Sequence, residues 1–165
     1  MALCGAWRSD ERGIREAYSN NFYKIEGQCC TYREIRGQIF ARFPSWFKFY
    51  SYEFLHSLVL NDKLYPEYCV FDDVLMHVKS IILARKIAIL KEGLYYYRVW
   101  NGNITNGGYS RGEGVMDSFV FMRDVESFLL SQDLLKELRK EFCGFVTDSI
   151  HYHFKRVLPT HKGFL

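Results

Sequence analysis

A chain of 165 residues, 48% hydrophobic and 25% charged, is long enough for one folded domain with a buried core and too apolar for a disordered segment. Its formal net charge of +3 is spread thinly, in small clusters at Arg33/Arg36, Arg85/Lys86, Arg139/Lys140 and Lys155/Arg156, which argues against a nucleic-acid binder. Aromatic residues are abundant, with 14 Phe, 12 Tyr and 3 Trp, and so many tyrosines suggest a surface that stacks on a sugar, a nucleobase or a protein partner.

In chain order, residues 21–26 and 28–31 read as a short hairpin turning at Gly27. Thr31-x-x-Glu34 has the form of a capping box, and Ile35, Ile39, Phe40 and Phe43 follow at helical spacing until Pro44 ends the helix. Residues 46–60 form a second, more aromatic segment that stops at the turn-prone Asn61-Asp62. The third helix is the clearest: Phe71, Val74, Leu75, Val78, Ile81 and Ile82 make one stripe, and Asp73, His77 and Ser80 lie on another side. Residues 86–90 and 94–99 then read as two strands around Glu92-Gly93, and 101–114, with five glycines, as a loop.

Two helices close the chain. One sets Asp117, Asp124, Ser127 and Ser131 opposite Phe119, Met122, Val125 and Leu129. The other carries Leu135, Leu138, Phe142, Phe145, Val146, Ile150, His153 and Val157 at helical spacing. The expected fold is α+β and mostly helical, a single domain over 1–165 with too few strands for a full sheet. Its closing helical pair spans 115–158.

The cysteines Cys4, Cys29, Cys30, Cys69 and Cys143 are odd in number and contain no Cys-x-x-Cys pair, so they read as small apolar packing residues in a reducing compartment. No run of about 18 apolar residues occurs, and Met1–Gly5 lacks the regions of a secretion signal. The expected location is the cytoplasm, with a peripheral place at the inner membrane as the other reading.

Asp72 and Asp73 are the first candidates for chemistry. Adjacent carboxylates at the mouth of a helix can take a proton from an attacking hydroxyl, or can simply cap the helix and complement its dipole. Asp73 and His77 share a helix face by spacing, as a metal pair or, better, as a solvent-facing pair; no third ligand is near in sequence. His151 and His153 point in different directions on a helix, and His153 falls on the apolar stripe as a core histidine. Lys48 and Arg98 sit among aromatics, either to grip an anion or to pack against the rings. No glycine-rich phosphate loop and no activated nucleophile is evident.

Taken together, Trp46, Lys48 and Tyr50 followed by Phe54-Leu55, then Tyr65-Pro66, Phe71-Asp72-Asp73, Leu94-Tyr95-Tyr96-Tyr97-Arg98 and Asn103-Ile104-Thr105 are in order and spacing similar to the C-terminal half of family 2 glycosyltransferases. These are GT-A enzymes of bacterial capsular and cell-surface polysaccharide synthesis. The resemblance spans residues 46–106. It implies the acceptor side of an inverting transfer of a sugar from a nucleotide-sugar to a saccharide acceptor. Asp73 would be the general base, Asp72 its acidic neighbour, and Trp46, Lys48, Tyr97 and Arg98 would contact substrate.

Phe47 stands where the family commonly has Asn, Asn103 where it has Ser, and Asp72 where it has Glu. A larger departure is the lack of any Asp-x-Asp, while the stretch before Trp46 is too short for a nucleotide-binding half. The resemblance therefore implies no cofactor in this chain: a divalent metal, Mn or Mg, would come with a partner supplying the missing half, and the chain alone would be inactive. The alternative reading is a non-enzymatic helical interaction module or a glycosyltransferase remnant.

Overall fold

A computed structural model of the chain describes residues 1–10, 12–18, 29–41, 44–59, 63–66, 71–100, 102–103 and 113–156. Residues 21–28 of the expected hairpin, the Asn61-Asp62 turn, Ile104-Thr105 and most of the glycine-rich loop lie outside them. The chain divides into two compact units, one formed by Met1–Leu64 with Met76–Trp100, the other by Tyr65–Leu75 with Asn101–Leu165. The 46–106 segment is shared between them.

The first unit is built on a five-stranded mixed sheet. Its strands are β1 (Ala2–Asp10), β2 (Gly13–Tyr18), β3 (Cys29–Cys30), β4 (Lys48–Phe49) and β5 (Ile87–Arg98). β1 and β5 run parallel at its centre, β2 and β4 pair antiparallel with β1, and β3 pairs antiparallel with β5. A parallel central pair must be covered on both faces, and the start of β1 meets that demand: Leu3, Cys4 and Ala6 are all buried. The β1–β2 connection is tight because the Arg12 amide donates to Asp10 Oδ1 at 2.8 Å and Gly13 takes a φ of +107° that side chains rarely adopt.

The chain is α+β, as its sequence suggests, but the sheet is larger than the sequence pattern implies. β1 and β2 carry no clean alternation and are not expected from it. The segment 86–99 is also one continuous strand rather than two, since Glu92-Gly93 continues the ladder and Gly93 pairs with Gly5 of β1.

Between strands, the Thr31/Glu34 box forms as expected, the Glu34 carboxylate accepting from the Thr31 amide at 2.8 Å and from its hydroxyl. The helix behind it does not: residues 32–41 are turns around a 3-10 segment at Arg36–Gln38. Gly37 in the middle of that segment disfavours an α-helix, while Ile35 and Ile39 still reach the core. A second 3-10 turn, Ser45–Phe47, leads into β4. Helix α1 (Tyr52–Ser57) is capped by Ser51, whose hydroxyl accepts from the Phe54 amide.

Helix α2 (Asp73–Leu83) begins in the second unit and continues in the first. Met76, His77, Val78, Ser80, Ile81 and Ile82 are all buried, so the polar stripe expected from spacing is not a solvent face. The second unit is completed by α3 (Asp117–Ser131) and α4 (Arg139–Arg156). Phe121, early in α3, packs on His153 late in α4 and on Phe145 nearer its middle, while Leu130 at the end of α3 shares a groove with Arg139 at the start of α4, so the two helices run antiparallel. In the turn between them, Asp133 adopts a φ of 55° and the Leu134 amide reaches the Leu129 carbonyl at 2.8 Å. Met122, Val125, Leu129, Leu138 and Phe142 fill the shared core, while Phe119, expected on the buried stripe, is 49% exposed.

Candidate functional site

In the first unit the fold joins two of the resembling segments through their rings. Pro44 keeps the chain extended just before the 3-10 turn and thereby sets the entry of Trp46. The Trp46 indole lies nearly flat on Tyr95, with centroids 4.7 Å apart and planes 19° apart. It lies equally flat on Tyr97, at 5.2 Å and 16°. Phe47 closes the cluster edge-on, its centroid 5.4 Å from that of Trp46. Tyr95 and Tyr97 can share Trp46 because alternate residues of β5 project to one face. Tyr96 projects to the other and is exposed.

Arg98 follows Tyr96 on that other face, its guanidinium 6.0 Å from the centre of the Trp100 ring, so the cation–π alternative describes its placement. Lys48 is buried, its ammonium donating to the Pro44 carbonyl and standing 4.4 Å from the centre of the Phe47 ring. It is therefore directed into the protein. Tyr95, the partner of Trp46 at the shorter separation, was legible only as part of a tyrosine run.

His77 corrects the expected solvent-facing pair with Asp73. It is fully buried, and burial followed by the charge of Lys48 holds its imidazole well below the usual histidine range, with backbone hydrogen bonds of Gln38 and Ile39 opposing. A metal ion at His77 would have to share this dry site with Lys48. Among the described residues no three His, Cys, Asp or Glu side chains come together as a metal site.

The two carboxylates belong to the second unit. Phe71 anchors them, packing edge-on to Phe121 at 5.7 Å and against His153 at 4.5 Å. Its carbonyl accepts from the Val74 amide at 3.2 Å, which closes the first turn ahead of α2. Asp72 is partly buried; burial pushes its carboxyl up, while its own amide and that of Asp73 pull it down by hydrogen bonding. Asp73, also partly buried, opens α2, where the positive end of the helix dipole favours its charge.

No protein-family model, no curated protein and no solved structure matches this chain. The geometry therefore stands by itself: an aromatic stack in one unit and a helix-mounted acid pair in the other. His153 is buried as expected, between Phe71 and Phe121, and His151 is exposed on α4. Of the cysteines, Cys4 and Cys30 are buried as small core residues and Cys143 is exposed. Burial pushes the Cys4 thiol up, so it is not a reactive thiolate.

Proposed function

We propose that this chain is the acceptor-side portion of an inverting glycosyltransferase, which transfers a sugar from a nucleotide-sugar to a saccharide acceptor. The observation that carries the reading is the flat stack of Trp46 on Tyr95 and Tyr97. These residues come from separate segments of the resemblance, and they meet in an arrangement suited to a sugar ring: a broad, rigid aromatic platform that packs against axial C–H groups. In the second unit Asp73, fixed at the start of α2, is the carboxylate that the resemblance makes the base for the acceptor hydroxyl, with Asp72 beside it. Metal and nucleotide would be held by a complementary half supplied by a partner chain.

Oligosaccharide titration of the chain, followed by tryptophan fluorescence, tests the platform. Binding should weaken at least about tenfold in Trp46→Ala, the loss of roughly 1.4 kcal/mol of contact energy. Equal affinity in the variant, or no saccharide binding by the parent chain, would remove the reading.

A non-enzymatic interaction module is the second reading, favoured by the exposed Trp7, Leu94, Tyr96 and Trp100 of the first unit. It predicts self-association that persists in high salt and no saccharide binding.

A further inference from the structure

The two closing helices carry more apolar surface than their shared core uses. On α3 the buried stripe is Ser118, Phe121, Met122, Val125 and Leu129. Phe119, Arg123, Glu126 and Leu130 follow one another at i, i+4, i+7 and i+11, which places them together on a second face. Phe119 is 49% and Leu130 60% exposed, and Met116 extends the strip at its N-terminal edge. On α4, Arg139, Cys143, Thr147, Ile150 and Phe154 have the same kind of spacing, and Ile150 and Phe154 are about half exposed. Glu126 and Leu130 line one open groove of about 430 Å³ together with Arg139 and Cys143. The second faces of both helices therefore lie on one side of the pair.

Charge is sorted between the flanks. Asp117 and Asp124 fall with Phe128 and Ser131 on the other flank of α3, and Glu141 and Asp148 fall with Tyr152 and a single cation, Lys155, on that of α4. The apolar side keeps Arg139, Lys140 and Arg123, the last also 3.8 Å from Asp124, against Glu126, while Asp133 and Lys136 of the connecting turn offset each other. Pairing two copies of this face would bring two net-cationic surfaces together, which disfavours self-pairing.

We infer that this face of α3 and α4 docks on an anionic phospholipid surface. Phe119, Leu130, Ile150 and Phe154 enter the boundary between headgroups and acyl chains, and Arg123, Arg139 and Lys140 reach lipid phosphates with their stems along the apolar surface. Among the described residues no helix is long and apolar enough to cross a membrane, so the helices lie along the surface. This surface is independent of the saccharide platform, and either can fail without the other.

Flotation of the full chain with vesicles tests the inference. The protein should float with phosphatidylcholine vesicles containing phosphatidylglycerol and bind pure phosphatidylcholine vesicles at least about tenfold more weakly, with the difference shrinking in salt. Arg139→Glu with Lys140→Glu should abolish the preference for anionic vesicles. Phe119→Ser with Phe154→Ser should weaken binding about tenfold while circular dichroism stays unchanged, since both rings are exposed. Equal binding to both vesicle types, or unchanged binding by either double variant, overturns the inference. So does a dimer in sedimentation that the Phe119→Ser, Phe154→Ser variant dissociates, because the face would then belong to a second copy.

Discussion

The indole of Trp7 occupies the space above Gly93: a Cβ at that position would lie 2.3 Å from Trp7 Nε1. Trp7 of β1 and Gly93 of β5 sit on the central parallel pair, close to the irregularities in register at Gly5. Gly93→Ala should therefore destabilise the protein by about 1–3 kcal/mol, the usual cost of forcing extra volume into a packed site. Trp7 is 36% exposed and able to swing outward, which favours the lower end of that range. Chemical denaturation measures the loss. In a Trp7→Ala background the same substitution should cost much less, because the clash has been removed.

The same glycine explains why the local sequence suggests two strands where one forms. Glu92-Gly93 has turn composition, and nothing local reveals that the glycine serves an indole some 85 positions earlier in the chain. Helices α2, α3 and α4 were legible because their 3.6-residue period is local. β1 was not, since Leu-Cys-Gly-Ala at its start is buried on both faces and needs no alternation. His77 fell on a polar stripe by spacing, yet packing beside Lys48 and the Gln38–Ile39 turn buries it. The acid pair at the start of α2 was visible in sequence, as was the Tyr run. The stack of Trp46 on it was not, because it depends on tertiary contact between 3-10 turn and strand.

Burial and the charge of Lys48 depress the folded-state pKa of His77, so the unfolded chain accepts a proton near the ordinary value of 6.5 while the folded chain does not. The stability tied to neutral His77 is complete above that pH and is lost as pH falls from there toward the much lower folded value. The slope approaches about 1.4 kcal/mol per pH unit. Urea denaturation between neutral and mildly acidic pH should show the decline, and His77→Leu should flatten it. An unchanged slope in His77→Leu would assign the acid sensitivity to other groups.

Phe121 joins α3 to α4 and to the anchor of the acid pair, touching Phe71, Phe145 and His153, and it is 3% exposed. Phe121→Ala should cost about 3–5 kcal/mol, since the rings around it are held by separate elements and cannot collapse fully into the space. Near-ultraviolet circular dichroism and thermal unfolding report the loss. Phe119→Ala, on the neighbouring but exposed position, should change stability by less than about 0.5 kcal/mol.

Asp72 and Asp73 should separate in their responses to amide substitution. Burial raises the folded pKa of Asp72 above its ordinary 3.8, so ionisation is harder in the folded chain than in the unfolded one. Its charge therefore costs stability that is absent at low pH and appears as pH rises past that value. Asn keeps the hydrogen-bonding shape and drops the charge, so Asp72→Asn should be neutral or slightly stabilising at pH 7, with any gain vanishing in acid. Asp73→Asn should leave the fold intact as well, since Asn also suits the first helical turn. The proposed role of Asp73 gives its substitution a separate readout: in sugar-transfer assays with a separately expressed nucleotide-binding half, loss of a general base should lower the rate about 10²–10⁴-fold with acceptor affinity retained. Asp72→Asn should keep most of the rate. Full activity in Asp73→Asn would move the base to another residue, and a parallel loss in both variants would mean that the pair acts through its summed charge.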